Sequence, residues 1–315
     1  MQMGLLLLLQ PIFEADFHED SYGYRPGRNA HQASEAIRTA IRRGKTEVID
    51  ADLSGYFDSI DHLGLMRLVA RRVSDGSILG LVKRFLKAPI VEEKTGIRTI
   101  QPNEKGTPQG GVISPLLANL YLNSLDHGVN DDPKLEAKLV RYAGDFVLLC
   151  PPGHGKALYQ RLERYLQSKG LKLNLAKTRV INTRQQRFQF LGFELSWRRS
   201  RMMGRAYSHV EPSKEGRQHL RAAVRKELNH WTTGRSCTEA VRSVNQVVRG
   251  WSQYYHYGHC TRSFVQMQDW LRKRLRKWLW KKYNRTLGLH TFLTNARLEG
   301  QYQLYKLPAY APYNR

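Results

Sequence analysis

Two short apolar runs, Leu139-Val140 and Phe146-Val147-Leu148-Leu149, are separated only by Arg141-Tyr142-Ala143-Gly144-Asp145. A connection this short, between runs of this kind, constrains the segment to a tight β-hairpin. The hairpin tip carries Asp145, so a carboxylate is presented on a rigid element. Upstream, Val48-Ile49-Asp50-Ala51-Asp52-Leu53 reads as a second strand bearing aspartates. Hard divalent cations such as Mg²⁺ take oxygen ligands, and carboxylates on strand ends and hairpin tips are suitable donors. Asp52 and Asp145 are therefore the candidate metal pair. By themselves, two aspartates 93 residues apart prove nothing, since most such pairs are helix caps or surface residues.

The surrounding segments alternate between helical and strand periods. Residues 1–45 read as a helix, the loop Ser21-Tyr22-Gly23-Tyr24-Arg25-Pro26-Gly27, and a helix from about His31 to Arg43. After the strand at 47–53, Leu65, Leu68 and Val69, then Ile78, Leu79, Val82 and Phe85, recur at helical spacing. Ile90–Glu93 and Arg98–Gln101 flank Lys94-Thr95-Gly96 and predict a hairpin. Ser114-Pro115 reads as an N-cap followed by proline at the first helical position, with the helix running to about Asp126. A helix from roughly Lys156 to Lys169 closes at Gly170, Leu171–Leu175 alternates as a strand, and Phe188–Leu195 belongs to a final hairpin. Helices and strands mixed in this way predict an α/β (α+β) domain on a small sheet. From about Pro212 only helical stripes remain. Leu220, Val224, Leu228 and Trp231 make the first, and Phe264, Met267, Leu271, Leu275 and Trp278 the third. Between them, the capping box Ser236-Cys237-Thr238-Glu239 opens a stripe of Val241, Val244, Val248 and Trp251. Together they predict a helical bundle with basic outer faces.

The chain carries 51 Lys and Arg against 27 Asp and Glu, a net charge of +24, of which residues 206–315 supply +14. A surplus of that size points to a polyanionic partner, nucleic acid first, the plainer reading being a passive basic surface. In this last third, Arg272-Lys273-Arg274, Arg276-Lys277 and Lys281-Lys282 interleave with Trp270, Trp278, Trp280 and Tyr283. Cations pair with phosphates and aromatic rings offer stacking faces to unpaired bases, which makes this the candidate nucleic-acid-binding segment. The competing reading places Trp270 and Trp278 in the bundle core. Cys150, Cys237 and Cys260 contain no Cys-x-x-Cys pair, which argues against a disulfide framework or zinc knuckle. A reducing, cytoplasmic setting is expected. The run Leu5–Leu9 lacks signal-peptide flanks and is too short to span a bilayer, so a buried helix is expected and no membrane partner.

Asp52-Leu53-Ser54-Gly55-Tyr56-Phe57-Asp58-Ser59-Ile60-Asp61-His62 resembles the first catalytic block of group II intron-encoded reverse transcriptase/maturases. Lys105-Gly106-Thr107-Pro108-Gln109-Gly110-Gly111-Val112-Ile113-Ser114-Pro115-Leu116-Leu117 resembles their next block almost residue for residue. Arg141-Tyr142-Ala143-Gly144-Asp145-Phe146 is similar to their hairpin block, and Gly170-Leu171-Lys172-Leu173-Asn174 with Lys177-Thr178 to the block after it. Phe190-Leu191-Gly192-Phe193 resembles the closing hairpin. Ser21–Arg28 and Gly250-Trp251-Ser252-Gln253-Tyr254-Tyr255 resemble the upstream signature and the maturase region, so the resemblance spans about residues 10–260.

The resemblance implies a right-hand polymerase palm over 46–208, a remnant of fingers over 1–45, and an all-helical thumb, the maturase RNA-binding domain, over 209–315. It implies RNA-templated, Mg²⁺-dependent DNA synthesis from a primer 3′-hydroxyl, with structured intron RNA and an RNA template with DNA primer as partners. By matching positions, Asp52 would bind both ions of a two-metal site, with Asp145 assisting. Phe57 would be the aromatic plate against the nucleotide ribose. Gln109 would touch the templating pair, with Gly110 and Gly111 letting backbone approach nucleic acid. Lys177 would stand near the leaving pyrophosphate. Plainer readings stay open: core packing for Phe57, a solvated charge for Lys177, turn-fixing for Asp58 and Asp61, and either a structural or a phosphate-facing role for Arg25. Two departures stand out. Gly144 replaces the first aspartate of the family's Tyr-Ala-Asp-Asp, and the chain begins inside a helix that in the family follows the fingers region. An impaired polymerase is expected, beside three competing products: a polymerase tolerating Gly144, an inactive RNA-binding splicing cofactor, and a degenerate fragment with an exposed apolar first helix. The zinc-type endonuclease of many relatives is not expected, since Cys pairs are missing.

Overall fold

In the computed structural model, residues 1–94, 97–108, 110–200, 204–283 and 291–310 are described, those at 90, 92–94 and 97–99 by their backbone only. The chain forms two compact units, Met1–Phe188 and Gln189–Arg315. The first opens with α1 (Gln2–Glu14) and α2 (Ala30–Arg42), then enters its sheet through β1 (Glu47–Ala51). A single helical turn, α3 (Tyr56–Ser59), is followed by α4 (His62–Ala70), α5 (Gly76–Leu86) and the hairpin β2 (Ile90–Lys94) and β3 (Ile97–Gln101). The long α6 (Ser114–Asn130), the hairpin β4 (Lys138–Tyr142) and β5 (Asp145–Cys150), α7 (Gly155–Ser168) and β6 (Arg179–Asn182) complete it. The main sheet has the order β4-β5-β1-β6 with antiparallel neighbours, so β1 lies between two partners.

Local chemistry explains where expectation and structure part. The Leu5–Leu9 run does not bury as a whole: Leu5, Leu9 and Phe13 enter the core at four-residue spacing, while Leu7 and Leu8 stay 65% and 60% exposed. Ser114 does not cap α6. It is the first helical residue, and its hydroxyl donates to the carbonyl of Pro108 at 2.8 Å, tying down the loop ahead of the helix. The strand expected over Leu171–Leu175 reduces to one bridge, Leu53 to Leu173. Asn174 Oδ1 accepts the Ala176 N–H at 3.2 Å, an Asx turn that ends the extended run and leaves Leu175 outside. The chain then re-enters the sheet as β6, which the sequence reading did not foresee because only Ile181 of its four residues is buried.

The second unit combines a three-stranded sheet, β7 (Phe188–Phe190), β8 (Phe193–Arg199) and β9 (Ala206–Pro212), with helices α8 (Lys214–Glu227), α9 (Cys237–Tyr255), α10 (Thr261–Lys282) and α11 (Asn295–Gly300). The sheet groups with the helices, so this unit begins ahead of the purely helical stretch. The Ser236–Glu239 capping box forms as expected. Leu220, Val224 and Leu228 are buried, but Trp231, expected on the same stripe, is 83% exposed. Asn229 Oδ1 accepts the N–H groups of Trp231 and Thr232 at 2.8 and 3.1 Å, and this competing turn stops α8 and turns Trp231 outward. Trp278 fills the core, its indole N–H donating to Thr232 Oγ1 at 3.1 Å. Among the described residues, no helix is long and apolar enough to cross a membrane.

The most consequential packing in the first unit is polar. Arg141, on β4, is fully buried, and its Nη2 lies 2.5 Å from Asp126 Oδ2 on α6. Its Nε donates to both Asp126 oxygens at 2.8 and 3.1 Å, and Nη1 donates to Asn119 Oδ1 at 2.8 Å and to the Ala143 carbonyl at 3.0 Å. The Arg141 backbone bonds Asp20 and Tyr22, so three separate segments meet on one residue. Burial pulls the guanidinium pKa down, but the charge and hydrogen bonds of Asp126 outweigh it and hold the value above the ordinary one. Removing one partner strands a buried charge, whereas replacing both need not. We expect Asp126→Ala to lower the unfolding free energy by about 3–5 kcal/mol in urea denaturation. The double change Arg141→Met with Asp126→Leu is expected to recover only part of that loss, because Asn119 Oδ1 and the Ala143 carbonyl lose their bonds to the same guanidinium; full recovery would show that packing alone holds this part of the unit.

Candidate active site and nucleic-acid surface

In the first unit, Ala51 on β1 stands opposite Phe146 on β5, and Asp50 opposite Val147. Continued one step, this register brings Asp52, just past β1, beside Asp145, the first residue of β5. Asp52 is held from the other side by the segment whose Leu173 bridges Leu53, just past β1. Its carbonyl accepts the Asn174 N–H at 2.8 Å, and its Oδ2 accepts from Asn174 Nδ2 at 3.1 Å. Lys177 Nζ lies 3.2 Å from the same oxygen while its side chain remains 67% exposed. The structure thus brings together three of the residues singled out in sequence: Asp52, Asp145 and Lys177.

The electrostatics follow from gathering like charges at one sheet end. Desolvation, then the negative charge of Asp52, raises the Asp145 carboxyl above the ordinary range, with Lys177 opposing. Asp50 is pushed up to about 6, first by burial and further by Asp145 and Asp52, with Arg179 opposing. Such a cluster is relieved by a cation, and its all-oxygen donors suit a hard divalent ion. Asp52 and Asp145 fit Mg²⁺ as two of its ligands. Among the described residues no three acidic, His or Cys side chains stand in an arrangement that could hold a metal ion.

The hairpin tip explains how a side chain can be missing here while the fold stays intact. Tyr142 pairs with Asp145 across the two-residue turn Ala143-Gly144. Ala143, not Gly144, takes the left-handed conformation, at φ +59°. Gly144 has an ordinary φ that any residue adopts, and a Cβ there would lie 3.2 Å from the Tyr56 ring. Tyr56 is buried with its hydroxyl bonded to the Ala118 carbonyl, so it supports the tip from below. Gly23 closes the other side: a Cβ on it would come within 2.3 Å of the Ala143 nitrogen, which leaves room for glycine alone.

Phe57 is half-buried, 5.5 Å from the Tyr56 ring and packed in part against the core. The next block docks directly on this turn, since the Gly106 and Thr107 N–H groups donate to the carbonyls of Ile60 at 2.7 Å and Phe57 at 2.8 Å. Gly106 has φ +83° and sits against the Asp58 backbone, another approach that excludes a side chain. Gly110 has φ +85° with open space around it, and Gln109 lies outside the described residues. Asp61 caps α4 by accepting the Gly64 N–H at 2.6 Å. Arg25 is buried and committed to the protein. It pairs with Glu14 at 2.7 Å and donates to the carbonyls of His18 and Ser21 at 2.6 and 2.7 Å, a structural role. Sequence reading passed over Asn174 as a holder of Asp52, and Tyr56 as the support of residue 144; both lie inside the blocks that drew attention.

The basic residues of α10 divide by what they touch. Arg272 pairs with Glu299 at 2.5 Å and Asp269 at 3.2 Å. Arg274 donates to the Leu228 carbonyl, and Arg276 to the Leu293 carbonyl at 2.7 Å. Lys282 donates to the carbonyls of Thr233 and Arg235, both at 2.8 Å. These four brace the second unit. Lys273, Lys277 and Lys281 are exposed and recur every four residues, so they form one solvent-facing stripe. Beside this helix, Arg221 and Arg225 lie over the half-buried Trp270 ring at 5.9 and 5.8 Å.

Residues 1–195 match the family described as reverse transcriptase (RNA-dependent DNA polymerase), and residues 217–295 the group II intron, maturase-specific domain. Protein YkfC of Escherichia coli is 32% identical over 238 residues, 64% of this chain and 61% of that protein. The group II intron-encoded protein LtrA of Lactococcus lactis is 37% identical over 126 residues, 40% of this chain and 20% of that protein. Nuclear intron maturase 1, mitochondrial, of Arabidopsis thaliana is 30% identical over 188 residues, covering 44% and 25%. The chain thus spans less than two thirds of each of these relatives. Telomerase from Candida albicans, solved with a fragment of telomeric RNA, aligns with 91% of this chain and 54% of its own at a TM-score of 0.51 and 13% identity, a likeness of fold. The chain belongs to the reverse transcriptase (RNA-dependent DNA polymerase) family and carries the maturase-specific domain of group II intron proteins.

Proposed function

We propose that this chain is a group II intron-type reverse transcriptase/maturase whose nucleotidyl transfer is impaired at Gly144 and whose second unit binds structured RNA. The observation that carries this reading is the β1–β5 register, which sets Asp52 beside Asp145 while the tip residue next to it, Gly144, has no side chain. Mg²⁺ held there by Asp52 and Asp145 would supply Lewis-acid activation and neutralise charge developing on a triphosphate. Lys177 keeps one positive charge on Asp52, and Phe57 offers a partly exposed ring on the helical turn that follows Asp52. Arg25 has its donors occupied by protein and serves the loop that presses on the hairpin. Intron RNA is the partner expected for the second unit, by analogy with the intron-encoded relatives and from the chain's net charge of +24.

Primer extension on an RNA template with Mg²⁺, comparing the chain with Gly144→Asp, tests the catalytic half. Gly144 has an ordinary φ and only the Tyr56 ring must give way, so the substitution is expected to change stability by no more than about 1–2 kcal/mol. A recovered carboxylate is expected to raise extension by roughly a thousand-fold, about 4 kcal/mol of transition-state stabilisation. Equal extension by both proteins would contradict the impairment. For the RNA half, replacing Lys273, Lys277 and Lys281 together by Gln is expected to flatten the log–log salt dependence of RNA binding by about 0.7–0.9 per lysine without changing the melting temperature. Arg272→Gln is expected to do the reverse, lowering the melting temperature through its lost Glu299 pairing; an unchanged salt slope in the triple variant would remove the stripe from the interface.

A further inference from the structure

A second basic site lies in the first unit and shares no residue with the carboxylate pair. An open cleft of about 500 Å³ is lined by Arg67 of α4 and Arg71, its C-cap, by Lys105 of the loop before α6, and by Lys169 at the end of α7. Arg67 and Arg71 are one turn apart, so they lie on one face of α4. Arg67, Arg71 and Lys105 are exposed, and among the described residues no carboxylate pairs with them. The one acid lining the cleft, Asp61, has its Oδ2 engaged by the Gly64 N–H at 2.6 Å as the cap of α4. Lys169 lies over the Tyr165 ring at 5.8 Å, and its carbonyl accepts the Tyr121 hydroxyl at 2.7 Å, which fixes the backbone carrying it.

Four cations from three separate elements therefore face one concave space with a single carboxylate, which leaves the cleft positive. The C-terminal dipole of α4 accounts for positive charge on its own last turn, where Arg67 and Arg71 sit. It does not account for Lys105 and Lys169, which arrive on other segments. Charges of one sign focused in a cleft raise the local concentration of polyanion, and arginine and lysine are the side chains that pair with phosphate. The Lys105 loop is anchored by its neighbour Gly106, whose carbonyl lies 2.6 Å from His62 Nε2, so the cleft wall is preformed.

Resting on the reading that this chain binds RNA, we propose that this cleft is a second RNA-backbone site, taking phosphates of a structured RNA outside the primer-extension centre. The test is fluorescence anisotropy with a labelled, structured RNA over a range of KCl, using the full chain, Arg67→Gln with Arg71→Gln, and Lys105→Gln alone. The double variant is expected to flatten the log–log salt slope by about 1.4–1.8 and the single variant by about 0.7–0.9, with melting temperatures unchanged. Lys105→Gln keeps the result interpretable if loss of the helix-end arginines unfolds α4. Folded cleft variants with the slope of the parent, beside a flattened slope in the Lys273, Lys277 and Lys281 variant, would overturn this site alone. A parent chain without salt-sensitive RNA binding would overturn the RNA reading and this site together.

Discussion

The buried pair of Arg141 and Asp126 is the interaction on which the first unit turns. One guanidinium, with no contact to solvent, reaches Asp126 and Asn119 on α6 and the Ala143 carbonyl at the hairpin tip, while its backbone bonds the segment around Asp20 and Tyr22. The tip that presents Asp145 is thereby set from within the core and not by its own turn residues. Tyr56 beneath Gly144, and the close approach of Gly23 to Ala143, complete the mould. A side chain can be lost at residue 144 without the tip moving, because none of these contacts uses one.

This separation of scaffold from chemistry shapes the electrostatics. Burial first, and then the mutual repulsion of Asp50, Asp52 and Asp145 brought together by β1 and β5, holds Asp50 and Asp145 above the usual carboxylate range. Lys177 and Asn174 contact Asp52 directly, and the charges of Lys177 and Arg179 only partly oppose the rise at Asp145 and Asp50. The site is thus a negatively charged sheet end that a hard cation would relieve. In the second unit the same economy of roles divides α10: Arg272, Arg274, Arg276 and Lys282 hold helices and turns together, and the lysines between them face solvent.

Much of this was legible in the chain itself, for identifiable reasons. The hairpin at 139–149 and the helices with buried positions at regular spacing announce themselves by period, and Asp52, Asp145 and Lys177 by the blocks around them. What period alone does not show is competition by polar side chains. Asn174 and Asn229 each seized backbone N–H groups and ended a strand and a helix that hydrophobic spacing would have continued. Ser114 gave its hydroxyl to Pro108 instead of capping. The role of Arg141 was hidden because a charged residue between two apolar runs reads as an exposed loop position until its partners on α6 are known. Among the basic clusters, sequence could not separate bracing arginines from free lysines, since partners such as Glu299 and the Leu293 carbonyl lie in distant segments.

The central claim is that a preserved scaffold holds two carboxylates and lacks the one at residue 144. Titration of Mn²⁺ into the chain, followed by electron paramagnetic resonance, tests it directly when repeated on Gly144→Asp and Asp52→Asn. The account predicts weak binding by the parent that Asp52→Asn abolishes, and binding at least about tenfold tighter in Gly144→Asp, a gain of about 1.4 kcal/mol from one added ligand. Equal affinity in the parent and Gly144→Asp, or tight binding indifferent to Asp52, would contradict it.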